Sequence, residues 1–332
     1  MNKINHQIIV KSYPNGWLKE SDFEYRQSPF PAPCSGEVLI QNRFLSLDPY
    51  MRGRLSTAKS YAKRAEIGEV MVGSCTGVVI ESASEKFKVG DTVLSSLGWQ
   101  THGICNESEI KRIDTTEIAE HAYLGVLGMP GVTAWTGLVD ICEAKRGETV
   151  VVDAASGAVG SVVGQLALAR GCYVVGIAGG AEKCNYVVNE LGFNACIDHK
   201  AADFKDQIKT ALPGGIDCLF ENVGGEIFET LLLLMNPFSR IALCGLISEY
   251  NVNSYGNRSL RSILVNRIKL QGFIVTDKLE SWTEIIEELK RPYRQGHLKY
   301  KLSQVDGIQN APKALIGLLR GENFGKQVVQ LC

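Results

Sequence analysis

No two of the ten cysteines are spaced C-x-x-C, and the five histidines are scattered along the chain. A structural zinc needs closely spaced thiolates, and a catalytic zinc needs cysteine, histidine and carboxylate ligands with some local pairing, so no metal site is expected. Long apolar runs are lacking as well: the longest purely aliphatic stretch, Leu231 to Met235, is far too short to span a bilayer. The first thirty residues carry His6, Lys11, Asn15 and Lys19 and no apolar stretch of signal-peptide length, so the expected location is cytoplasmic, with no membrane partner. Neither sign of charge is in excess, since 35 Lys and Arg face 36 Asp and Glu for a net charge of −1. Nothing therefore marks a nucleic-acid footprint, and the cluster Lys59, Lys63, Arg64 reads as a solvated face. Cysteines such as Cys218 and Cys244 sit in apolar contexts, where a thiol in a reducing compartment serves as a small core hydrophobe. What is present is ordinary for a soluble globular chain: 45% hydrophobic and 21% charged residues. Its 332 residues are about twice a usual single domain, which suggests two.

The stretch Thr149 to Gly164, T-V-V-V-D-A-A-S-G-A-V-G-S-V-V-G, organises the chain. Thr149 to Val152 is a β-branched run of the kind buried on both faces of a parallel sheet, and Val159 to Ala169 turns to helical spacing. Gly157 and Gly160 would let backbone approach a pyrophosphate at the start of that helix, and Gly164 permits close packing of the helix on the sheet. The first glycine of G-x-G-x-x-G is absent, with Ala155 in its place, so the motif alone is a weak match and a structural βα turn without a ligand is the alternative. A second apolar strand, Tyr173 to Ala178, follows at the interval a βαβ crossover needs, and the pair reads as a dinucleotide-binding unit. An NAD site usually places an acid at the end of that second strand for the ribose 2′-hydroxyl. Here stand Gly179, Gly180 and Ala181, then Glu182 and Lys183, a cation suited to a 2′-phosphate. The pattern favours NADP; the alternative is that Lys183 is a solvated helix residue.

From Met1 to about Tyr123 the pattern predicts strands over Gln7–Val10, Glu37–Gln41, Met71–Ile80, Asp91–Ser95 and Ile110–Ile113, an all-β module. At Pro130-Gly131 helical spacing begins, and βα alternation runs to about Gln295. Later strands are predicted at Ala195–Ile197, Cys218–Phe220, Ile241–Cys244 and Leu270–Val275, with helices around Phe204, Phe228, Ile263 and Ile285. This makes a doubly wound sheet whose strand ends, Glu221-Asn222, Gly245 to Tyr250 and Val275-Thr276, border the expected ligand crevice. A terminal strand, helix, strand unit (Lys299–Leu302, Ile308–Leu319, Gln327–Leu331) could extend either domain.

Particular runs carry a family resemblance. They are L-S-L-D-P-Y-M-R-G-R from Leu45, G-M-P-G from Gly128, A-A-S-G-A-V-G from Ala154, E-N-V-G-G from Glu221, C-G-L-I-S-E-Y-N from Cys244 and N-F-G-K from Asn323. The chain resembles, over essentially its whole length, the zinc-free prostaglandin, alkenal and curcumin reductase branch of the medium-chain dehydrogenase/reductases. The resemblance implies an α/β protein with a GroES-like β-rich domain over residues 1–123, to which 298–332 return, and a doubly wound Rossmann domain over 124–297. It implies NADPH as hydride donor to the C=C bond of an α,β-unsaturated ketone or aldehyde, a small-molecule enone or enal substrate, and a homodimer. Carried over, Gly157, Ala158, Val159 and Gly160 hold the pyrophosphate and Lys183 the 2′-phosphate. Asn222, Cys244, Gly245, Ile247, Ser248, Phe273, Val275 and Asn323 hold the rest of the cofactor, and Tyr50 and Tyr250 line the pocket. His199 stands where the family often has a tyrosine on the adenosine side. Asp48 and Arg52 read as a structural ion pair or pocket rim.

Hydride addition to the β-carbon pushes negative charge onto the carbonyl oxygen, so the site needs a neutral donor there. Tyr250 suits this role, because a phenol of ordinary pKa, about 10, stays protonated at neutral pH. The resemblance suggests that a cofactor ribose hydroxyl shares the task, and Tyr50 either does likewise or only stacks. A quinone reductase of the same superfamily, or an NADPH-binding sensor without turnover, are the alternative readings.

Overall fold

The computed structural model describes residues 4–251 and 260–331. The chain divides into two compact units: Met1–Leu124 with Leu302–Asn323 and Gln327–Cys332, and Gly125–Lys301 with Phe324–Lys326.

The first unit holds β1 Ile4–Val10, β2 Phe23–Pro29, β3 Glu37–Ser46, β4 Cys75–Ser82, β5 Thr92–Ser95, β6 His102–Asn106 and β7 Lys111–Arg112. The short helix α1, Tyr50–Arg54, interrupts them directly after Pro49. β1 and β2 form an antiparallel pair, Val10 opposite Phe23. β3 is the spine of the larger sheet and pairs antiparallel with both β4 and β6. Val38, Ile40, Val79, Val93 and Cys105 point from these strands into one buried cluster. β2 and β6 escaped the sequence reading. β2 has one buried residue in seven, so pairing and not an apolar face holds it in place. The predicted strand Met71–Ile80 begins only at Cys75.

The second unit holds β8 Thr149–Val152, β9 Tyr173–Ala178, β10 Ala195–Asp198, β11 Ile216–Glu221, β12 Met235–Leu243 and β13 Lys269–Gly272. Its helices are α2 Met129–Trp135, α3 Gly160–Ala169, α4 Ala181–Asn189, α5 Phe204–Ala211, α6 Gly225–Leu232, α7 Leu260–Asn266 and α8 Trp282–Arg294. The six strands lie in the order β10-β9-β8-β11-β12-β13, and their pairs are parallel. The order reverses between β8 and β11, the place where an open α/β sheet presents its ligand crevice. One face of the sheet is packed by Phe204 and Ile208 of α5 and Phe228, Leu231 and Leu232 of α6 against Val151, Val175, Leu219 and Ile241. The chain then returns to the first unit with β14 Leu302–Asp306, α9 Ala311–Leu319 and β15 Lys326–Gln330. Val328 pairs there with Ser46 of β3.

The one substitution in the expected glycine pattern has a local compensation. Ala155, in the first-glycine position, is wholly buried, and a Cβ on Gly176 of the adjacent β9 would stand 2.8 Å from its methyl. The missing side chain has moved from one strand to its neighbour. The left-handed backbone step is taken by Ala154, at φ 45. Gly164 of α3 faces an aromatic ring rather than bare strand, since a Cβ there would lie 1.8 Å from Phe193 Cζ. Phe193 is 2% exposed and has no solvent to move into. Gly164→Ala is therefore expected to destabilise the unit by roughly 1–3 kcal/mol through overpacking. That corresponds to a melting temperature lower by about 2–12 °C; a melting temperature unchanged by calorimetry would show that the ring yields freely.

Candidate functional site

The turn between β8 and α3 is built as the glycines predicted. Gly157 N–H donates to Ala154 O at 2.8 Å, closing a tight turn. A Cβ on Gly160 would lie 2.5 Å from the same carbonyl. Ala158 and Val159 lead into α3, whose N-terminus carries the positive end of the helix dipole.

At the end of β9 the cations converge. A Cβ on Gly179 would stand 2.8 Å from His199 Nε2 and 3.1 Å from Lys200 Cε, whereas one on Gly180 would meet nothing within 4 Å. Asp198 Oδ1 accepts from Gly180 N–H at 2.8 Å and Lys200 N–H at 2.9 Å, fixing the two loops to each other. Lys183 lies in the first turn of α4. Its ammonium is held below the ordinary lysine range by burial and then by Lys200, against an opposing pull from Glu182. Burial likewise holds His199 below the usual histidine value, with Lys200 and Lys183 adding to it and Asp198 opposing. Lys183 and His199, each held down by burial and by neighbouring positive charge, form with Lys200 a basic site whose charge an anion would relieve. Lys200 was missed in the sequence reading, and its adjacency to His199 was the available signal.

Beyond β12 lies an open cleft of about 360 Å³. Of the expected residues, Cys244, Gly245, Tyr250 and Phe273 line it, joined by Leu246 and Asp277. Tyr250 Oη lies 3.5 Å from the Leu246 amide nitrogen, and a Cβ on Gly245 would stand 3.1 Å from that oxygen. Glycine thus leaves the phenol its place. Desolvation pushes the Cys244 thiol up to about 12, with Asp153 and Glu221 adding to it. Ile247 and Ser248 lie in a single 3-10 turn, Ile247–Glu249, pinned to the neighbouring loop by Ile247 N–H to Asn222 O at 3.1 Å and Ser248 Oγ to Val223 O at 2.6 Å. The predicted strand Leu270–Val275 ends at Gly272, so Phe273 lies past its end and Val275 opens the next 3-10 turn. There Trp282 Nε1 donates to Val275 O at 3.0 Å. Asn222 Nδ2 donates to Asp153 O and Asp153 Oδ1, each at 3.2 Å. What the side chain can still offer a ligand is its Oδ1. Residues 252–259, just after Tyr250, lie outside the described residues.

Tyr50 and Asn323 belong to the other unit. Tyr50 opens α1, and burial followed by the Asp48 carboxylate raises its phenol well above the ordinary range, so it stays a neutral donor. Arg54 lies over its ring at 5.6 Å. Asp48 accepts from Ser46 Oγ, and Arg52 donates to Gly16 O at 2.9 Å with Asp22 supporting its charge. Both are buried. Asn323 is half-buried just before β15.

A doubly wound sheet with a glycine turn, a cation cluster and a tyrosine-edged cleft beyond its strand ends defines a dinucleotide-binding protein of the Rossmann class. Residues 6–113 match the family described as the N-terminal domain of oxidoreductase, and residues 158–291 the one described as zinc-binding dehydrogenase. The NADPH-dependent curcumin reductase of Escherichia coli (strain K12) is 42% identical, covering 98% of this chain and 97% of that protein. The NADP(+)-dependent 2-alkenal reductase of Nicotiana tabacum is 38% identical, again over 98% and 97%. CurA from Vibrio vulnificus, solved in complex with NADPH, matches with a TM-score of 0.94 at 46% identity, over 98% of this chain and 99% of that one. The chain belongs to the medium-chain dehydrogenase/reductase superfamily, in the zinc-free branch that includes the curcumin, alkenal and prostaglandin reductases. Among the described residues no three His, Cys, Asp or Glu side chains come together as metal ligands would. The donor set does not fit a zinc ion, and no step runs through one.

Proposed function

We propose that this protein reduces the C=C bond of α,β-unsaturated ketones and aldehydes with NADPH. The observation that carries the reading is the cluster of Lys183, His199 and Lys200 around Gly179 and Gly180, beside the glycine turn. It suits a 2′-phosphate, and the turn with the α3 N-terminus suits the pyrophosphate next to it. Asn222 Oδ1, the segment Cys244 to Ser248, Phe273 and Val275 are assigned to the nicotinamide side, and Asn323 to the same cofactor. NADPH, when bound, supplies the hydride for the β-carbon. The chain's own part is to orient the enone in the cleft beyond β12 and to hold a neutral hydroxyl, that of Tyr250, against the oxygen where charge develops. Nine described cysteines are free thiols, which supports a reducing, cytoplasmic setting.

The test is NADPH oxidation with simple enones, enals and quinones in parallel, after exhaustive chelation. Enones and enals are expected to turn over at undiminished rate, with the saturated carbonyl as product. Exclusive turnover of quinones would establish the alternative, and no turnover of any acceptor would leave an NADPH-binding sensor.

We further propose a homodimer formed through β13. This strand ends the sheet with all four residues exposed, and α7 exposes Leu260, Leu264 and Val265. An open strand edge with nearby apolar side chains favours pairing with a second copy. Sedimentation is expected to give twice the chain mass, and Leu264→Asp with Leu270→Asp the single mass. A monomer in the parent protein at micromolar concentration would rule this out.

A further inference from the structure

Two acids are wholly buried side by side at the point where the strand order reverses. Asp153 follows β8, Glu221 ends β11, both are 0% exposed, and the parallel register that sets Phe220 opposite Val152 brings them together. Their carboxyl oxygens gather the amides of one loop. Asp153 accepts from Asn222 N at 2.7 Å and Val223 N at 3.1 Å, and Glu221 from Val223 N at 2.8 Å and Gly224 N at 2.6 Å. Glu221 Oε2 is buried and receives no N–H or O–H from any other group among the described residues. Val223 N–H is shared between Asp153 Oδ2 and Glu221 Oε1, which sets the two buried carboxyls against each other, and two carboxylates there would offer only acceptors.

We propose that Asp153 and Glu221 hold one proton in common and act as positioning residues for loop 222–225, so that losing this proton loosens the loop and weakens dinucleotide binding. The inference rests on the assignment of this loop to the cofactor. The loop in turn anchors the segment that carries Tyr250, through the bonds from Ile247 and Ser248 to Asn222 and Val223. The titratable groups facing the assembly are the Cys244 thiol after β12 and Glu249, whose Oε1 accepts from Gly225 N–H at 3.1 Å. Neither offers a positive charge to a second carboxylate. Burial, followed by the Asp153 charge, raises the Glu221 carboxyl well above its ordinary range. For an acid raised in this way, the favourable protonated state is fully present below its ordinary pKa and is lost as pH rises through the elevated one. The pair titrates as one unit.

The decisive comparison is NADPH affinity from mildly acidic to alkaline pH in the parent protein, E221Q and E221A, by calorimetry, with amide exchange at residues 222–224. In E221Q the amide donates to Asp153 in place of the shared proton while its oxygen still accepts from Val223 and Gly224. It is expected to match the parent near neutrality and to bind about tenfold tighter than the parent at the alkaline end. E221A leaves the buried Gly224 amide without its acceptor and Val223 N–H with Asp153 alone, and is expected to bind roughly 5- to 100-fold more weakly throughout. An E221Q profile as steep as the parent's, or E221A within twofold of the parent, overturns the proposal. A parent protein that does not bind NADPH at neutral pH overturns the cofactor assignment instead. Amide exchange that quickens with pH above the intrinsic rate in the parent but not in E221Q then still supports the shared proton, and equal exchange overturns it.

Discussion

Tyr250→Phe is expected to slow turnover of a simple enone about 10- to 100-fold while leaving NADPH affinity and the melting temperature nearly unchanged. The ring keeps its place on the cleft beyond β12, and only the hydroxyl, 3.5 Å from the Leu246 nitrogen, is lost. Removing one donor from a preorganised oxyanion site costs about 2.7–4 kcal/mol, a factor of roughly 100 to 1000. The smaller figure is expected here because the cleft is open and water can stand in for part of the lost bond. The hydroxyl acts where charge develops, so the loss should fall on kcat more than on KM. A variant within about twofold of the parent would remove Tyr250 from the role of donor. A loss confined to KM would make it a ground-state contact.

Lys183→Ala is expected to weaken NADPH binding about 10- to 100-fold and leave NADH binding nearly as it was. A charge-assisted contact to a phosphate contributes about 1.5–3 kcal/mol, and the 2′-phosphate is the one group by which the two cofactors differ. The direction of the Lys183 shift adds a pH dependence. Its ammonium is held below the ordinary range by burial and Lys200, so in the free protein it deprotonates earlier than a solvated lysine. The preference for NADPH over NADH should therefore shrink as pH rises, and Lys183→Arg, whose charge persists, should hold it further into the alkaline range. Equal weakening of both cofactors in the alanine variant would refute the assignment.

The local signals in the chain were sufficient for the first βαβ unit of the second unit's sheet, whereas β12 begins at Met235, six residues before the expected Ile241, and β13 ends at Gly272, three residues before the expected Val275. The β-branched run Thr149 to Val152, the spacing of Gly157 and Gly160, and the apolar segment Tyr173 to Ala178 each report on their own backbone. β8, α3 and β9 form within a residue of where these signals place them. The replacement of an acid by Gly179 and Gly180, with Lys183 beyond, was equally legible, because cofactor preference follows from side chains a few positions apart. Motif likeness assigned Tyr250 to a strand end, and the tertiary structure decided what surrounds it. Strands without an apolar face, such as β2, were illegible because pairing partners hold them and their own composition does not. Ala155 looked like a defect in the motif until the glycine that makes room for it proved to be Gly176, on the next strand. Gly164 faces Phe193 and Asp153 faces Glu221 because helix packing and parallel register bring together positions distant in sequence. The composition and spacing around each residue contain no trace of that partner. The sequence by itself determined the strands and helices that carry an apolar face and that an anionic dinucleotide suits the turns between them. Only the folded chain decided which side chains share a proton, a cavity or a charge, since those couplings depend on distances through space that local patterns do not encode.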